Sequence, residues 1–226
     1  MRWITLTLLL TLTLAAKDDK QKTTERLDDA AALFSEIMDA PDRSIPQDLL
    51  DKSHCIVLVP GLKKGAFVIG GKYGRGFSVC RQADGQGWGP PAAIRIEGGS
   101  FGIQIGFSSS DVILLVMNER GMKKLTTSKF TIGADATAAI GPVGRNATAQ
   151  TDALMHAEIL SWSRARGAFA GASLDGATLR NDLDDNEALY GKRWTSKDIL
   201  GSGAQIPTAA TKLIASLNKY SPRKVS

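Results

Sequence analysis

Residues 101–121, FGIQIGFSSSDVILLVMNERG, decide the expected fold. From Phe101 to Phe107 large apolar residues alternate with glycine and glutamine, which is the period of a strand with one apolar face. Residues 112–117 form an unbroken apolar run, typical of a strand covered on both faces. The serine-rich residues 108–111 between them have the composition of a turn. The segment therefore predicts a central β-hairpin, followed by the start of a short helix at residues 118–121.

The rest of the chain predicts more strands around this hairpin. The 226 residues suffice for one large domain, and most of the 23 glycines fall between residues 61 and 176. Two further apolar runs, residues 55–60 and 66–81, flank Lys63-Lys64-Gly65, which is interpreted as a turn. Glycines within the second run indicate a sheet that bends. The predicted fold class is α+β, with a curved, mainly antiparallel, barrel-like sheet and with N-terminal and flanking helices.

Helices are predicted at both ends of the chain. Apolar residues from Leu27 to Met38 recur at helical spacing, and Pro41 ends the pattern. Ser44 and Gln47 fit a capping box for a short helix that runs through Lys52. Residues 207–220 form a last amphipathic helix.

Residues 1–16 are predicted to be a signal peptide. One positive charge precedes an apolar run, and Ala15-Ala16 supplies small residues at its end. The run is shorter than the roughly 20 residues of a membrane span, although an uncleaved N-terminal anchor is the alternative. The expected organisation is a disordered lead-in at 17–26, a main domain at 27–194, and a linker with the last helix at 195–226. The domain is expected to be periplasmic or secreted.

Cys55 and Cys80 are the only cysteines. Export would allow a disulfide between them, whereas two buried free thiols are the alternative. His54 and His156 lie at no zinc-ligand spacing, so neither a metal nor a cofactor is expected.

Enzyme-like motifs in the sequence are incomplete. Residues 71–76 are glycine-rich but match no phosphate-binding loop. Asp182, Asp184 and Asn186 have calcium-loop spacing, but Glu187 and Arg193 occupy the positions that need glycine and glutamate, so a solvated acidic loop with the start of a short helix is predicted at residues 182–190. No nucleophile–base–orienter set is visible. The protein is expected not to be an enzyme.

Basic residues at predicted strand ends and turns are the main functional signal. With a net charge of +5, they either form a cationic rim for phosphate-bearing headgroups or are scattered over the surface. The residues predicted to bind lipid are Lys63, Lys64, Lys72, Arg75, Arg145, Arg164 and Arg166. Nucleic acid is not an expected partner, because no aromatic stacking platform is visible.

Five segments carry a resemblance to a known family: residues 45–81, 98–121, 129–153, 158–180 and 184–192, including PVGRN, SRARGAFAG and NEALYG. In this order they resemble the SYLF domain, also called the Ysc84 actin-binding family, and its exported bacterial members in particular. The resemblance implies a lipid-binding module, since eukaryotic members bind phosphoinositide membranes and some also bind actin. No cysteine precedes Lys17, so the lipoprotein form of some members is not expected.

The expected function is non-enzymatic binding of anionic, phosphoinositide-like headgroups at the cell envelope. Residues 25–39 or 207–220 are expected to lie in the membrane interface as amphipathic helices. The alternative is a structural envelope protein that binds a protein partner without lipid specificity.

Overall fold

The computed structural model describes residues 2–40, 44–67, 69–85, 87–101, 106–144, 156–165, 168–171, 173–201 and 203–222. The strands are β1 Cys55–Phe67, β2 Ile69–Cys80, β3 Ala92–Phe101, β4 Gly106–Val116, β5 Lys129–Thr131, β6 Ala138–Ile140, β7 Ile159–Ala165, β8 Ala168–Gly171 and β9 Thr178–Asn181. The α-helices are α1 Arg2–Asp39, α2 Gln47–Lys52, α3 Glu119–Leu125, α4 Leu183–Tyr190, α5 Ser196–Gly201 and α6 Thr211–Tyr220.

The strands form one sheet in the order β5-β9-β3-β2-β1-β4-β7-β6, and β8 pairs with β7. All of these pairs are antiparallel except β6 with β7. One face, called the convex face, packs against α1, α2 and α6. The other, called the concave face, surrounds a second apolar cluster, to which strands from both edges of the sheet contribute. The sheet is therefore curled into a half-barrel, and the predicted α+β class with a curved, mainly antiparallel sheet is confirmed.

Strand β1 lies at the centre, and its residues 55–59 are buried on both faces. Ile56 and Leu58 face the helices, whereas Val57 and Val59 face the concave cluster. The register shifts after Leu58, around Pro60-Gly61, where Gly61 has a φ of 64° in the left-handed region. The strand then continues to Phe67, so the turn predicted at residues 63–65 is wrong.

The predicted central hairpin is also wrong. Strand β3 pairs with β2 and β9, and β4 pairs with β1 and β7, so β3 and β4 are not neighbours. Residues 102–105 lie outside the described residues. The predicted turn at residues 108–111 belongs to β4, where Ser109 lies opposite Lys63. A serine run without glycine or proline is a weak turn signal, and here the long β1 supplies a partner for its backbone.

Helix α1 is continuous from Arg2 to Asp39, so the lead-in predicted to be disordered at residues 17–26 is helical. Lys22 pairs with Asp18 and Gln21 donates to Glu25 at 3.0 Å, four residues apart in each case. The buried stripe predicted from Leu27 onward is confirmed. Within the described part of the chain, no helix combines the length and the hydropathy needed to cross a membrane. The signal peptide at residues 1–16 stays a prediction.

The capping box predicted at Ser44 and Gln47 is wrong. Helix α2 follows Pro46 without a side-chain cap. The amide of Gln47 instead donates to Asp51 at 3.0 Å and to the Tyr220 carbonyl at 2.7 Å. The stretch predicted to be a linker contains α5, whereas the predicted apolar face of α6 is buried through Leu213, Ile214 and Leu217.

Cys55 and Cys80 lie directly opposite each other in β1 and β2, with Cα atoms 3.9 Å apart, and they form a disulfide. Both are buried on the concave side. Of the two alternatives that the sequence left open, the structure contains the disulfide.

Candidate functional site

Four strand ends meet at one end of the half-barrel. The register pairs Phe67 with Ile69, Ile69 with Phe101, and Ala66 with Gly106. We call this end the tip; its described residues are 63–67, 69–73, 98–101 and 106–110. Three of the residues predicted to bind lipid lie here, namely Lys63, Lys64 and Lys72. The strand ends are thus where the cations gather, although the lysines lie within paired strands and not in a turn.

The convex face of the tip carries exposed aromatic residues beside a cation. Lys63 lies opposite Tyr73, and Gly65 lies opposite Phe107, so all four positions share one face. Phe107 is 96% exposed and Tyr73 is 45% exposed. A Cβ on Gly65 would lie 2.8 Å from the Phe107 ring, so glycine at this position lets the ring lie across β1. The result is an aromatic and cationic surface that the helices leave uncovered.

The concave face of the tip carries the other two lysines. Lys64 lies directly opposite Lys72 on one side and Ser108 on the other. Leu62, two residues earlier, is fully buried in the concave cluster and lies opposite Ser110. Partial burial, together with the charge of Lys72, lowers the pKa of Lys64. Lys63 and Lys64 are adjacent in the sequence and therefore lie on opposite faces of the sheet.

Arg75 borders the tip, where its Nε donates to the Tyr73 hydroxyl at 3.1 Å, but its guanidinium belongs to a buried ion-pair cluster. Its Nε lies 2.9 Å from Asp182 Oδ2, and its Nη1 lies 3.3 Å from Asp185 Oδ1. Burial disfavours the charged guanidinium, but Asp182, Tyr73 and Asp185 hold the pKa of Arg75 above its ordinary value. The guanidinium is thus already neutralised by carboxylates of the protein.

One of these two carboxylates, Asp185, also fastens α1 to the sheet. Arg26 of α1 pairs with Asp185, and Thr23 Oγ1 donates to Asp185 Oδ1 at 3.0 Å. Burial, and then the charge of Asp182, raises the pKa of Asp185, while Arg26 and Arg75 oppose the rise. Asp182 is fully buried and accepts from the Asp185 N–H at 3.3 Å as the N-cap of α4. The short helix predicted here is confirmed, whereas the predicted solvated loop is wrong, because Asp182 and Asp185 are buried.

Arg164 is also engaged in ion pairs. It pairs with Glu36 of α1 and, at 2.6 Å, with Asp111 of β4. Arg145 and Arg166 lie outside the described residues. The structure thus brings together Lys63, Lys64 and Lys72 and places Arg75 and Arg164 in intramolecular contacts elsewhere.

Two clefts lie outside the tip. One, of about 560 Å³, lies between α1 and the bulge of β1 at Pro60-Gly61, and carboxylates and cations both line it, including Asp111 of β4 and Arg164 of β7. The other, of about 530 Å³, lies between the segment after β2 and the segment after α5, and Ile199, Leu200 and Ile206 give it an apolar wall. Within the described part of the chain, neither cleft gathers cations that lack an acidic partner, as the tip does.

The amphipathic helices are not available for the membrane role predicted for them. The apolar stripes of α1 and α6 pack together against the convex face, with Phe34 and Leu217 fully buried. Insertion of either helix into an interface would require it to leave this core. Sequence reasoning also missed four residues of the tip: Tyr73, Phe107, Ser108 and Ser110. Phe107 belonged to an alternating pattern that predicted a core face.

Comparisons with known proteins place this chain in a family. The family described as Ysc84, Las17-binding protein actin regulator, matches residues 97–220, more than half of the chain. The rat protein named SH3 domain-containing YSC84-like protein 1 is 30% identical over 193 residues, covering 84% of this chain and 56% of the rat protein. The Saccharomyces cerevisiae protein YSC84 is 30% identical over 176 residues, covering 76% of this chain and 37% of the yeast protein. The chain spans about half the length of the rat relative, and less of the yeast one.

Proposed function

The chain belongs to the Ysc84 family, and from this premise we propose that it is a non-enzymatic module that binds anionic, phosphoinositide-like lipid headgroups through its tip. The observation that carries the proposal is the 96% exposure of Phe107 on the same sheet end as Lys63, Lys64 and Lys72. A large aromatic ring left in water beside unpaired cations is costly for a soluble surface and useful at a membrane interface.

The proposed mechanism has an electrostatic and an apolar part. Each lysine near an anionic surface contributes about 1 kcal/mol, so three lysines together contribute about 3 kcal/mol, or roughly a hundredfold in affinity. Phe107 and Tyr73 then enter the headgroup region with their rings. The apolar part makes the complex less sensitive to salt than lysines alone would be.

The disulfide supports the second element of the proposal, which is export. Disulfides persist in oxidising compartments, and the predicted signal peptide at residues 1–16 would deliver the chain to one. Mass spectrometry of the protein from its native host should find an N-terminus near Lys17. An intact Met1 on soluble cytosolic protein would rule out export.

A protein-binding role is the second candidate, because the family is described as a Las17-binding actin regulator. On this alternative the same tip would meet an acidic protein surface. The test is sedimentation of the purified chain with vesicles of phosphatidylcholine, with and without phosphatidic acid, over a series of salt concentrations. Binding that requires phosphatidic acid and weakens with salt supports the lipid role, whereas no binding to either vesicle leaves the protein-binding candidate.

A further inference from the structure

We propose that the concave face of the tip holds a specific site for a phosphomonoester group, formed by Lys64, Lys72 and Ser110. The inference rests on the proposed lipid-binding function and names the class of headgroup: one that ends in a phosphomonoester. It also separates two tasks at the tip. The convex face, with Lys63 and Phe107, makes general membrane contact, and the concave face selects the headgroup.

The register places the site's residues side by side. Lys72, Lys64 and Ser108 lie directly opposite one another on the adjacent strands β2, β1 and β4. Neighbouring strands are about 4.8 Å apart, so the two ammonium groups are within reach of the oxygens of one phosphate. Ser110 lies one step deeper on the same face, diagonal to Lys64, because it lies opposite Leu62.

Among the described residues, the protein supplies no carboxylate to the two lysines and no hydrogen-bond partner to the serine. Like charges directly opposite each other in a sheet are destabilising, and neither lysine takes part in an ion pair with a described carboxylate. The lowered pKa of Lys64 has the same origin, in burial and in the charge of Lys72. Ser110 is only 7% exposed, and its Oγ has no hydrogen-bond partner among the described residues. An anion with several acceptor oxygens would remove all of these penalties at once.

The surroundings leave room for a small anion and limit its size. Gly98 of β3 lies opposite Lys72, so β3 places no side chain beside that lysine. A Cβ on Gly98 would lie 3.3 Å from the Ala177 Cα, so the backbone before β9 forms a wall there. The buried Leu62 forms the floor. On this proposal the headgroup enters from the end of the tip.

The charge of the site favours a monoester over a diester. A phosphomonoester carries between about −1.5 and −2 charges at pH 7, which matches two ammonium groups. A diester phosphate carries a single charge and presents fewer free oxygens. The same chemistry occurs in soluble phosphate esters, so the experiment has to distinguish a lipid headgroup from a free ester.

The test uses four proteins in addition to the wild type: Lys64→Met, Lys72→Met, Ser110→Ala and, as a matched control, Lys63→Met. Lys63 is the sequence neighbour of Lys64 on the opposite face, so its replacement changes the net charge equally. One arm measures binding to vesicles that contain either phosphatidic acid, a monoester, or phosphatidylglycerol, a diester. The other arm titrates glycerophosphate in solution and follows its binding by calorimetry.

The wild type should prefer phosphatidic acid by about tenfold or more. Lys64→Met, Lys72→Met and Ser110→Ala should lose that preference, whereas Lys63→Met should weaken binding to both vesicles and keep the ratio. Ligand-free Ser110→Ala should melt no lower than the wild type, because it loses an unsatisfied buried hydroxyl; this readout separates a binding role from a structural one.

The possible failures are distinct. If the wild type binds both anionic vesicles equally, or if Lys64→Met and Ser110→Ala discriminate as the wild type does, the phosphomonoester site is wrong while the lipid-binding function stands. If glycerophosphate binds and Lys64→Met abolishes that binding, but no vesicle is bound, the site stands with a soluble ester as its ligand and the proposed function is wrong.

Discussion

Lys64 is the residue at which stability and the proposed function oppose each other. Its pKa is lowered in the folded protein by burial and by Lys72, so its charged form destabilises the fold. In the folded protein Lys64 loses its proton at a lower pH than in the unfolded chain, where it has the ordinary lysine pKa of 10.5. The free energy of unfolding therefore rises with pH between these two pKa values. Below the lowered pKa of Lys64, the charged lysine destabilises the folded protein in full.

We therefore expect Lys64→Met to raise the melting temperature at neutral pH by roughly 1–3 °C, a small value because solvent screens a half-exposed charge. The difference from the wild type should narrow as the pH approaches 10.5. Thermal unfolding at several pH values measures it, with Lys63→Met as the control. A lower melting temperature for Lys64→Met at neutral pH would contradict this account of the lysine pair.

Phe107 gives the complementary prediction. Its side chain is 96% exposed and contributes almost no buried area to the fold. Phe107→Ala should change the free energy of unfolding by less than about 0.5 kcal/mol. The same variant should weaken vesicle binding by about tenfold, as expected for the loss of one inserted aromatic ring. Equal vesicle binding by the variant and the wild type would show that the ring stays in water.

At the scale of elements, α1 is held by apolar packing and by one buried carboxylate. Asp185 is shared by Arg26 and Thr23 of α1 and by Arg75 of β2. Asp185→Ala would leave two guanidinium groups without this partner. We expect the free energy of unfolding to fall by about 3 kcal/mol. This is the low end for a broken buried ion pair, because both arginine side chains are partly exposed.

The neighbouring Asp184→Ala is the matched control for Asp185→Ala. The Asp184 side chain is 63% exposed and pairs only at the surface with Arg193, so its loss should cost less than about 1 kcal/mol. Urea unfolding of the two variants measures both values. Similar losses for the two variants would mean that the Asp185 cluster does not fasten α1.

Much of the element pattern could be predicted from the sequence. The two-sided burial of residues 112–116, the stripe from Leu27, the face of α6 and the bend implied by glycines all follow from periodicity and composition. The partners of the central strands could not be predicted from local sequence signals, because strand pairing is set by long-range packing. Residues 108–110 pair with β1 only because β1 is longer than its apolar run suggested.

The bulge at Pro60-Gly61 explains why the candidate site could be predicted only in part. Val57 and Val59 face the concave cluster, so strict alternation would place Lys63 on the concave face and Lys64 on the convex one. The register shift after Leu58 reverses this assignment. Sequence reasoning found the cations but had no means to assign each to a face, and it could not foresee that Arg75 and Arg164 would be neutralised by acids distant in sequence.

At the scale of the whole molecule, the disulfide joins the two central strands. It closes a loop with a sequence separation of 25 residues, for which chain entropy gives about 3.5 kcal/mol of stabilisation. Reduction should therefore lower the melting temperature markedly. A Cys55→Ala, Cys80→Ala double variant should melt at a lower temperature than the oxidised wild type, with or without reductant. Identical melting of the wild type in oxidising and reducing buffer would show that the bond is not formed in solution.

The most direct test of the account compares two charge reversals in the full chain. Lys63→Glu with Lys64→Glu reverses an adjacent lysine pair at the tip, and Lys123→Glu with Lys124→Glu reverses an equal pair on α3, which follows the opposite end of β4. Both variants change the net charge by the same amount, so a difference in binding between them reports the position of the charges and not the net charge.

Vesicle sedimentation with phosphatidic acid should show at least tenfold weaker binding for the tip variant, which corresponds to about 1.4 kcal/mol. The α3 variant should bind nearly as the wild type does. Equal losses in the two variants, or undiminished binding by the tip variant, would contradict the claim that the protein meets membranes through the tip of its half-barrel.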